Sequence, residues 1–449
     1  MSEASLDTLW LRLLPQPLRS RMAGRRLVQT LIENAGWLVA DKVVRLGTGL
    51  FVGVWVARYL EPSRFGTLNY VTALVGLISA LSTLGLPDIN VRDFVLHGER
   101  AREIAATSIL LRCIGALLSI LIAAIVVVVS QPGKGEALAM AVIVGASLLP
   151  QALDVVDQFY QSQNVVKPIV VRRNASYALT SALKILAIVS HAPLITFAVI
   201  YSVEFLFVAI SLIVYSRRDR LIDFSQASLI EGQRLLSASW PLLVRQIAIG
   251  IYMRLDQVLV GRLLDDHAVG IYAAAARVSE IWYFVPTAIM TAVVPRLAAK
   301  HRESEAQYEA ALSKVMRTIA AMSLVAALVT SLGSRQIVNL LYGPAYSDAA
   351  QVLAIHAWGG LFVSVGVAST AWFINTRNMR FGLYQAIVGA IVSLALNLLL
   401  IPRFGVAGAA CTVVAAQFVS AIGFNACFRQ TRPIFRIQLE SFNMLRWRW

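Results

Sequence analysis

Charged side chains inside long apolar runs are the residues of this chain best placed to do chemistry. Each costs about 2.5–3.5 kcal/mol at the centre of a bilayer and so needs a reason to be there. Asp41, Lys42 and Arg45 fall in the first apolar run, Arg245, Arg254 and Asp256 in the seventh, and Arg277 and Glu280 in the eighth. Asn34, Asp41, Arg45 and Thr48 recur at helical spacing and would give the first helix one polar stripe. Asp41 and Arg45 also form an i,i+4 pair that partly neutralises itself. Arg245, Tyr252 and Asp256 lie near one face of the seventh helix, since eleven residues make about three turns, while Arg254 points toward the side of Gln257 and Gly261. Arg277 and Glu280 share a face.

Pairing with the acids Asp41, Asp256 and Glu280 accounts for only part of the set Lys42, Arg45, Arg245, Arg254 and Arg277. Internal ion pairing is the plain reading of such residues. A surplus of cations facing a polar cavity is instead a receptor for phosphate or diphosphate, with arginine supplying forked donors. The other ionisable residues in apolar runs read as structural. Lys184 and Glu204 are expected to pair between neighbouring helices, Arg112 stands in the third run, and Asp154 and Asp157 are expected to be solvated at a helix end.

The elements that position these residues follow from composition. The chain has 449 residues, 58% hydrophobic and only 14% charged, against about 45–50% and about 25% in soluble domains. Apolar runs such as 110–129 and 383–401 have the length that spans a hydrocarbon layer, about 20 residues. The net charge of +15 follows from basic loops on one membrane face, so nucleic acid is not an expected partner. Cys113, Cys411 and Cys427 read as small core residues. The histidines 97, 191, 267, 301 and 356 read as loop or helix-end residues without a cluster, and no metal site is expected. The first apolar run begins near Leu31 after a basic stretch that includes Arg25 and Arg26, with no cleavage site of small residues, so the first helix is expected to stay.

Hydropathy and breakers predict about twelve spans: 33–57, 67–87, 104–129, 137–158, 169–190, 194–215, 238–260, 269–294, 312–332, 350–375, 382–401 and 406–428. Lys and Arg then alternate strictly. One side keeps only Arg58, Arg64, Lys134, Arg262, Arg335 and Arg403, which places both termini in the cytoplasm. The predicted organisation is a basic N-terminal segment (1–32), an N-lobe (33–215), a cytoplasmic linker (216–237), a C-lobe (238–428) and a basic tail (429–449). The tail ends Arg446-Trp447-Arg448-Trp449, a composition suited to a membrane interface. The exits of the first helix of each half match: Arg58, Leu60 and Gly66 align with Arg262, Leu264 and Gly270, and Glu61 with Asp265. With six spans per half this is a parallel repeat, the pattern of transporters whose lobes rock about a central site.

An ordered set of segments carries a family resemblance. The first half has Trp37, Lys42-Val43-Val44-Arg45, Ala57-Arg58-Tyr59-Leu60-Glu61-Pro62, Phe65-Gly66 and Gly85-Leu86-Pro87. The second has Ser239-Trp240-Pro241, Arg254-Leu255-Asp256, Val269-Gly270-Ile271-Tyr272 through Arg277, and Leu341-Tyr342-Gly343-Pro344-Ala345-Tyr346. Over about 33–428 the chain resembles the Wzx-type oligosaccharide flippases of polysaccharide biosynthesis, in the MOP exporter superfamily.

The resemblance implies an all-α polytopic, MATE-like fold of two six-helix lobes around a V-shaped cavity lined by spans 1, 2, 7 and 8. It implies a lipid-linked oligosaccharide on undecaprenyl diphosphate as cargo, a bacterial inner membrane, and alternating access coupled to a proton or sodium gradient without any other cofactor. A polysaccharide polymerase and a chain-length regulator are the implied protein partners. Span 2 departs from the expected cationic lining, since it carries no buried base. In the resulting scheme Lys42, Arg45, Arg245 and Arg277 capture the diphosphate, Arg254 stands nearer the far end, and a change at Asp41, Asp256 or Glu280 alters their pairing.

Three alternatives remain open. A multidrug exporter of the same superfamily would call for an acid-dominated cavity. A membrane polymerase or glycosyltransferase would call for a large loop with carboxylates, and no catalytic motif is visible. A scaffold would need no buried charge.

Overall fold

The computed structural model describes residues 26–442 other than 218 and 377, with the side chains of 26–35, 38–40, 43 and 295 left aside. The basic stretch before Arg26 and the Arg446–Trp449 motif lie outside the described residues. Helix dominates because long apolar runs leave backbone polar groups no partner in lipid except one another. Among the described residues, eight stretches are long and apolar enough to cross a membrane, and a ninth, Asp266–Val294, qualifies jointly with Arg296–Glu303 across a 47° bend.

Two of the eight are pairs. Arg26–Thr83 breaks at Glu61 (φ 60°, ψ 167°) into α1 (26–60) and α2 (62–83), with Pro62 opening α2. Met379–Phe418 breaks at Gly405 (φ 58°) just after Pro402, into α11 (379–404) and α12 (406–418). Between them run α3 (Ala101–Ser130), α4 (Gly135–Ser162, with short interruptions), α5 (Lys167–Val189), α6 (Leu194–Ser216) and α7 (Leu229–Leu263). Then follow α8 (Asp266–Glu280, continued as Phe284–Glu303), α9 (Glu305–Leu332) and α10 (Ala349–Asn375). The α5 helix falls short on apolarity because it carries Lys167, Arg172, Arg173 and Lys184. The described residues thus contain the twelve long helices that hydropathy predicts.

The repeat is visible as a seam between the halves. A Cβ on Gly66 would lie 1.6 Å from the Asp266 carbonyl oxygen, and a Cβ on Gly270 would lie 2.0 Å from that of Pro62. These are the same two repeat positions exchanged, so the halves meet about a pseudo-two-fold axis. The repeat arginines each reach across to the opposite half, though not to matching positions. Arg58 donates to the carbonyls of Leu341 (2.6 Å) and Leu340 (2.5 Å), and Arg262 donates to the carbonyl of Ser130 (3.3 Å). One contact has no mirror image: Asp266 accepts from Thr67 (3.0 Å), Gln131 (3.1 Å) and Lys134 (2.7 Å). At the opposite end α7 closes on the α2 exit, where a Cβ on Gly85 would lie 2.6 Å from both the Ser239 carbonyl and the Leu243 amide.

Several local expectations change. The linker is shorter than predicted, because α7 starts at Leu229, capped by the Ser228 side chain. The basic tail begins with a packed helix, Arg432–Phe442, whose Ile434 and Ile437 are buried and whose Gln438 bonds Ser369 (2.8 Å) and Asn425 (3.1 Å). Cys411 and Cys427 are exposed rather than in the core, as the helices turn them outward. His356 closes the helical segment Ala349–His356 that opens α10, a helix end as expected, but it is buried there against Ser279 (2.6 Å). Asp157 is buried and paired with Arg173 (3.1 Å), and Asp154 sits 3.9 Å from the buried Arg112, so neither acid is simply solvated.

Candidate functional site

A cavity of about 610 Å³ lies between the halves, lined by α1, α2, α5, α6, α7 and α8. The stripe predicted for α1 forms its first wall. Arg45, Gly49, Val52, Gly53 and Val56 succeed one another at helical spacing along it. Asp41, one turn before Arg45, accepts from it at 3.1 Å and from Asn174 on α5 at 2.9 Å. Asp41 thereby orients the arginine from behind and does not itself line the cavity.

Four bases face the space, Arg45, Lys184, Arg254 and Arg277, against two acids, Glu204 and Glu280. Glu204 stands 3.9 Å from both Arg45 and Lys184. The Tyr177 ring lies 5.2 Å from the Arg45 guanidinium and 6.0 Å from the Lys184 ammonium, within cation–π reach. Arg277 crosses toward the other half. Its guanidinium lies 5.4 Å from the Phe65 ring and occupies the space a Cβ on Gly53 would need, 2.3 Å away. Arg254 and Arg277 make no ion pair among the described residues, so their donors are free for a ligand. α2 contributes Phe65, Leu68, Asn69, Thr72, Ala73 and Gly76, no base among them, as its sequence predicts.

The structure sorts the predicted residues. Arg45, Arg254, Arg277 and Glu280 come together in the cavity. Lys42 is exposed and does not line it; it lies about one turn before Arg45, where the α1 wall of the cavity begins. Arg245 leaves the opposite face of α7 from Arg254 and lines a different cavity. Asp256 is buried inside the C half, where it accepts the Tyr272 hydroxyl. Lys184 and Glu204 do pair as expected, but they do so on the cavity wall. No group of three or more potential metal ligands occurs among the described residues.

Residues 31–301, more than half of the chain, match the polysaccharide biosynthesis protein family, and the chain belongs to that family. Residues 233–447 match the lipid II flippase MurJ family. The chain is 21% identical over 177 residues to the capsular polysaccharide biosynthesis protein CapF of Staphylococcus aureus (39% of this chain, 45% of that protein). It is 26% identical over 190 residues to the probable flippase AglR of Haloferax volcanii (38% and 37%). These matches span less than half of each relative's length.

The fold is that of the MOP superfamily. A lipid II flippase MurJ in an inward closed conformation superposes with a TM-score of 0.70 at 14% identity, covering 91% of this chain and 90% of that one. An inward-facing MATE-family multidrug transporter superposes at 0.68 with 15% identity, covering 89% and 96%. The chain is therefore a multi-pass membrane protein of the MOP fold.

Proposed function

We propose that this protein flips an oligosaccharide linked to undecaprenyl diphosphate across the bilayer by alternating access. The observation that carries this reading is the basic excess of the central cavity, four cations against two acids in a space of about 610 Å³. That volume lies in the range of ligand sites, roughly 300–1,000 Å³. Arg254 and Arg277 hold the diphosphate with their free forked donors. Arg45 and Lys184 join them when the ligand displaces them from Glu204, and the sugar sits against Asn69, Thr72 and Tyr177. The polyprenyl tail stays in lipid. Opening of the seam at Gly66 and Gly270 releases the sugar on the far side. With both termini cytoplasmic, the cargo is loaded from the cytoplasmic leaflet of a bacterial inner membrane. A coupling ion shifts this equilibrium only by its differential affinity for the two states. Glu204 and Glu280 are the acids positioned to feel both ion and cargo.

The family match and the probable flippase among the relatives support this reading. The cavity's charge argues against cationic drugs as cargo. The deciding experiment is made in cells that lack the gene. Lipid-linked oligosaccharide should accumulate on the cytoplasmic leaflet. Wild type should clear it, whereas Arg45→Ala and Arg277→Ala should not. Shortened polymer chains without accumulation would refute transport and point to a polymerase or scaffold.

A further inference from the structure

Arg245 does not reach the central cavity, yet it stands within the apolar helix α7. It lines a second cavity, of about 160 Å³, enclosed by α7, α10, α11 and α12 in the C half. Nine residues separate it from Arg254, a phase of roughly 180° and a rise of roughly 13 Å. The two guanidinium groups therefore serve separate spaces. Among the described residues lining this second cavity, Arg245 alone is charged, and it makes neither an ion pair nor a hydrogen bond. An arginine cannot shed its proton to escape that position.

Two more donors line the same space without an oxygen acceptor. The Tyr252 hydroxyl has no hydrogen-bond partner among the described residues, and Gln417 Nε2 has only the Met253 sulfur, at 3.8 Å. The other polar groups there are already committed. Thr370 donates to the Gly366 carbonyl (3.3 Å), Ser420 to the Gln385 carbonyl (3.1 Å), and Gln385 Nε2 to Asn425 (2.9 Å). A permanent cation and two neutral donors thus converge where no carboxylate does. Leaving such groups unmet in a partly apolar space is costly.

We propose that this cavity is a second anion site, distinct from the central one, that takes a single phosphate group. Arginine's fork matches two phosphate oxygens, and Tyr252 and Gln417 supply donors to the others. At about 160 Å³ the cavity is smaller than the roughly 300–1,000 Å³ of drug-sized ligand pockets, which suits a single phosphate group rather than an oligosaccharide. The phosphate is either the headgroup of a membrane lipid or the free ion, since the recognising chemistry is the same. This assignment stands on its own geometry and does not depend on the flippase reading.

The test uses the full chain in phosphatidylcholine nanodiscs. Inorganic phosphate and phosphatidic acid are titrated separately, and bound ligand is followed by native mass spectrometry and by thermal shift. Wild type should bind one of the two probes. Arg245→Gln should weaken that binding at least about tenfold, the value of one charge-assisted bond, and Tyr252→Phe and Gln417→Leu several-fold each. The double variant Arg254→Gln/Arg277→Gln should lose only binding at the central cavity and keep the component that Arg245→Gln removes. Preference for phosphatidic acid identifies a lipid headgroup, and preference for inorganic phosphate identifies the free ion. No binding of either probe, equal binding by Arg245→Gln and wild type, or a loss confined to the central double variant would each overturn the assignment. If Arg245→Gln fails to fold, the Tyr252 and Gln417 variants decide.

Discussion

Gly66→Ala puts the seam between the halves to a quantitative test. The added Cβ would sit 1.6 Å from the Asp266 carbonyl oxygen and 2.9 Å from the Gly270 amide, both backbone atoms that cannot rotate away. Ordinary contact begins near 3.4 Å, so the halves must part by about 1.8 Å. The Lys134–Asp266 pair would then open from 2.7 Å to about 4.5 Å, and the bonds from Thr67 and Gln131 would break with it. Lys134 is half exposed, so its pair is worth only about 0.2–1 kcal/mol. The other two bonds, to a carboxylate, add about 1.5 kcal/mol each at the low end. The closed seam thus loses about 3 kcal/mol, more than a hundredfold in population. Spin labels at the exposed positions 64 and 267, in a variant lacking the three native cysteines, report the separation by double electron–electron resonance. The alanine variant should shift the distance distribution to longer values. An unchanged distribution, with an unchanged melting temperature, would mean the close approach of Gly66 to Asp266 does not exist in the membrane.

Three further outcomes follow from single contacts. Glu61 holds φ 60°, a region costing non-glycine residues about 1–3 kcal/mol; Glu61→Gly should raise thermal stability by about 1 kcal/mol, and a loss of stability would show that the side chain is needed. Arg234 bonds Glu231 and, at 2.6 Å, Asp93, whose carboxylates are almost fully buried. Arg92 and Arg100 remain beside them, so Arg234→Ala should cost about 2–3 kcal/mol in a denaturation series, at or below the range for breaking a buried pair. Gln438→Leu removes bonds to Ser369, Asn425 and the Ala421 carbonyl, and should cost about 1–3 kcal/mol, measured as earlier proteolysis of the 432–442 helix.

The fold was legible where a residue type leaves little choice. Apolar runs fixed the long helices, and Pro62 and Pro402 marked the two breaks inside continuous helical stretches. The repeat was legible in Gly66/Gly270, which the structure places in reciprocal contact, and in Arg58/Arg262, each of which bonds backbone carbonyls of the opposite half. The site was legible in part. The stripe through Arg45 was correct because it rests on helical phase alone. Arg245 and Arg254 point to opposite faces of α7, and no local signal tells which face meets the other half; Gln257, one turn on, is the residue that shares Arg254's side. Lys184 and Glu204 looked like a structural pair because the wall they pair on is formed by helices brought together only in three dimensions. The tail helix was hidden because its buried glutamine and serine read as solvent-facing until Ser369 and Asn425 are in place.

The seam joins the halves as an isologous interface joins the subunits of a symmetric dimer, with each surface answering itself. In such an interface a change shared by both copies acts twice, which is how a duplicated ancestor could be tuned quickly. Here the copies have diverged at one point. The repeat partner of Asp266 is Pro62, which has no carboxylate to offer in its place. The hinge is therefore built from symmetric parts but locked from one side only, so a substitution at Asp266 can adjust how readily the protein opens while the mirrored backbone packing keeps the two lobes in register.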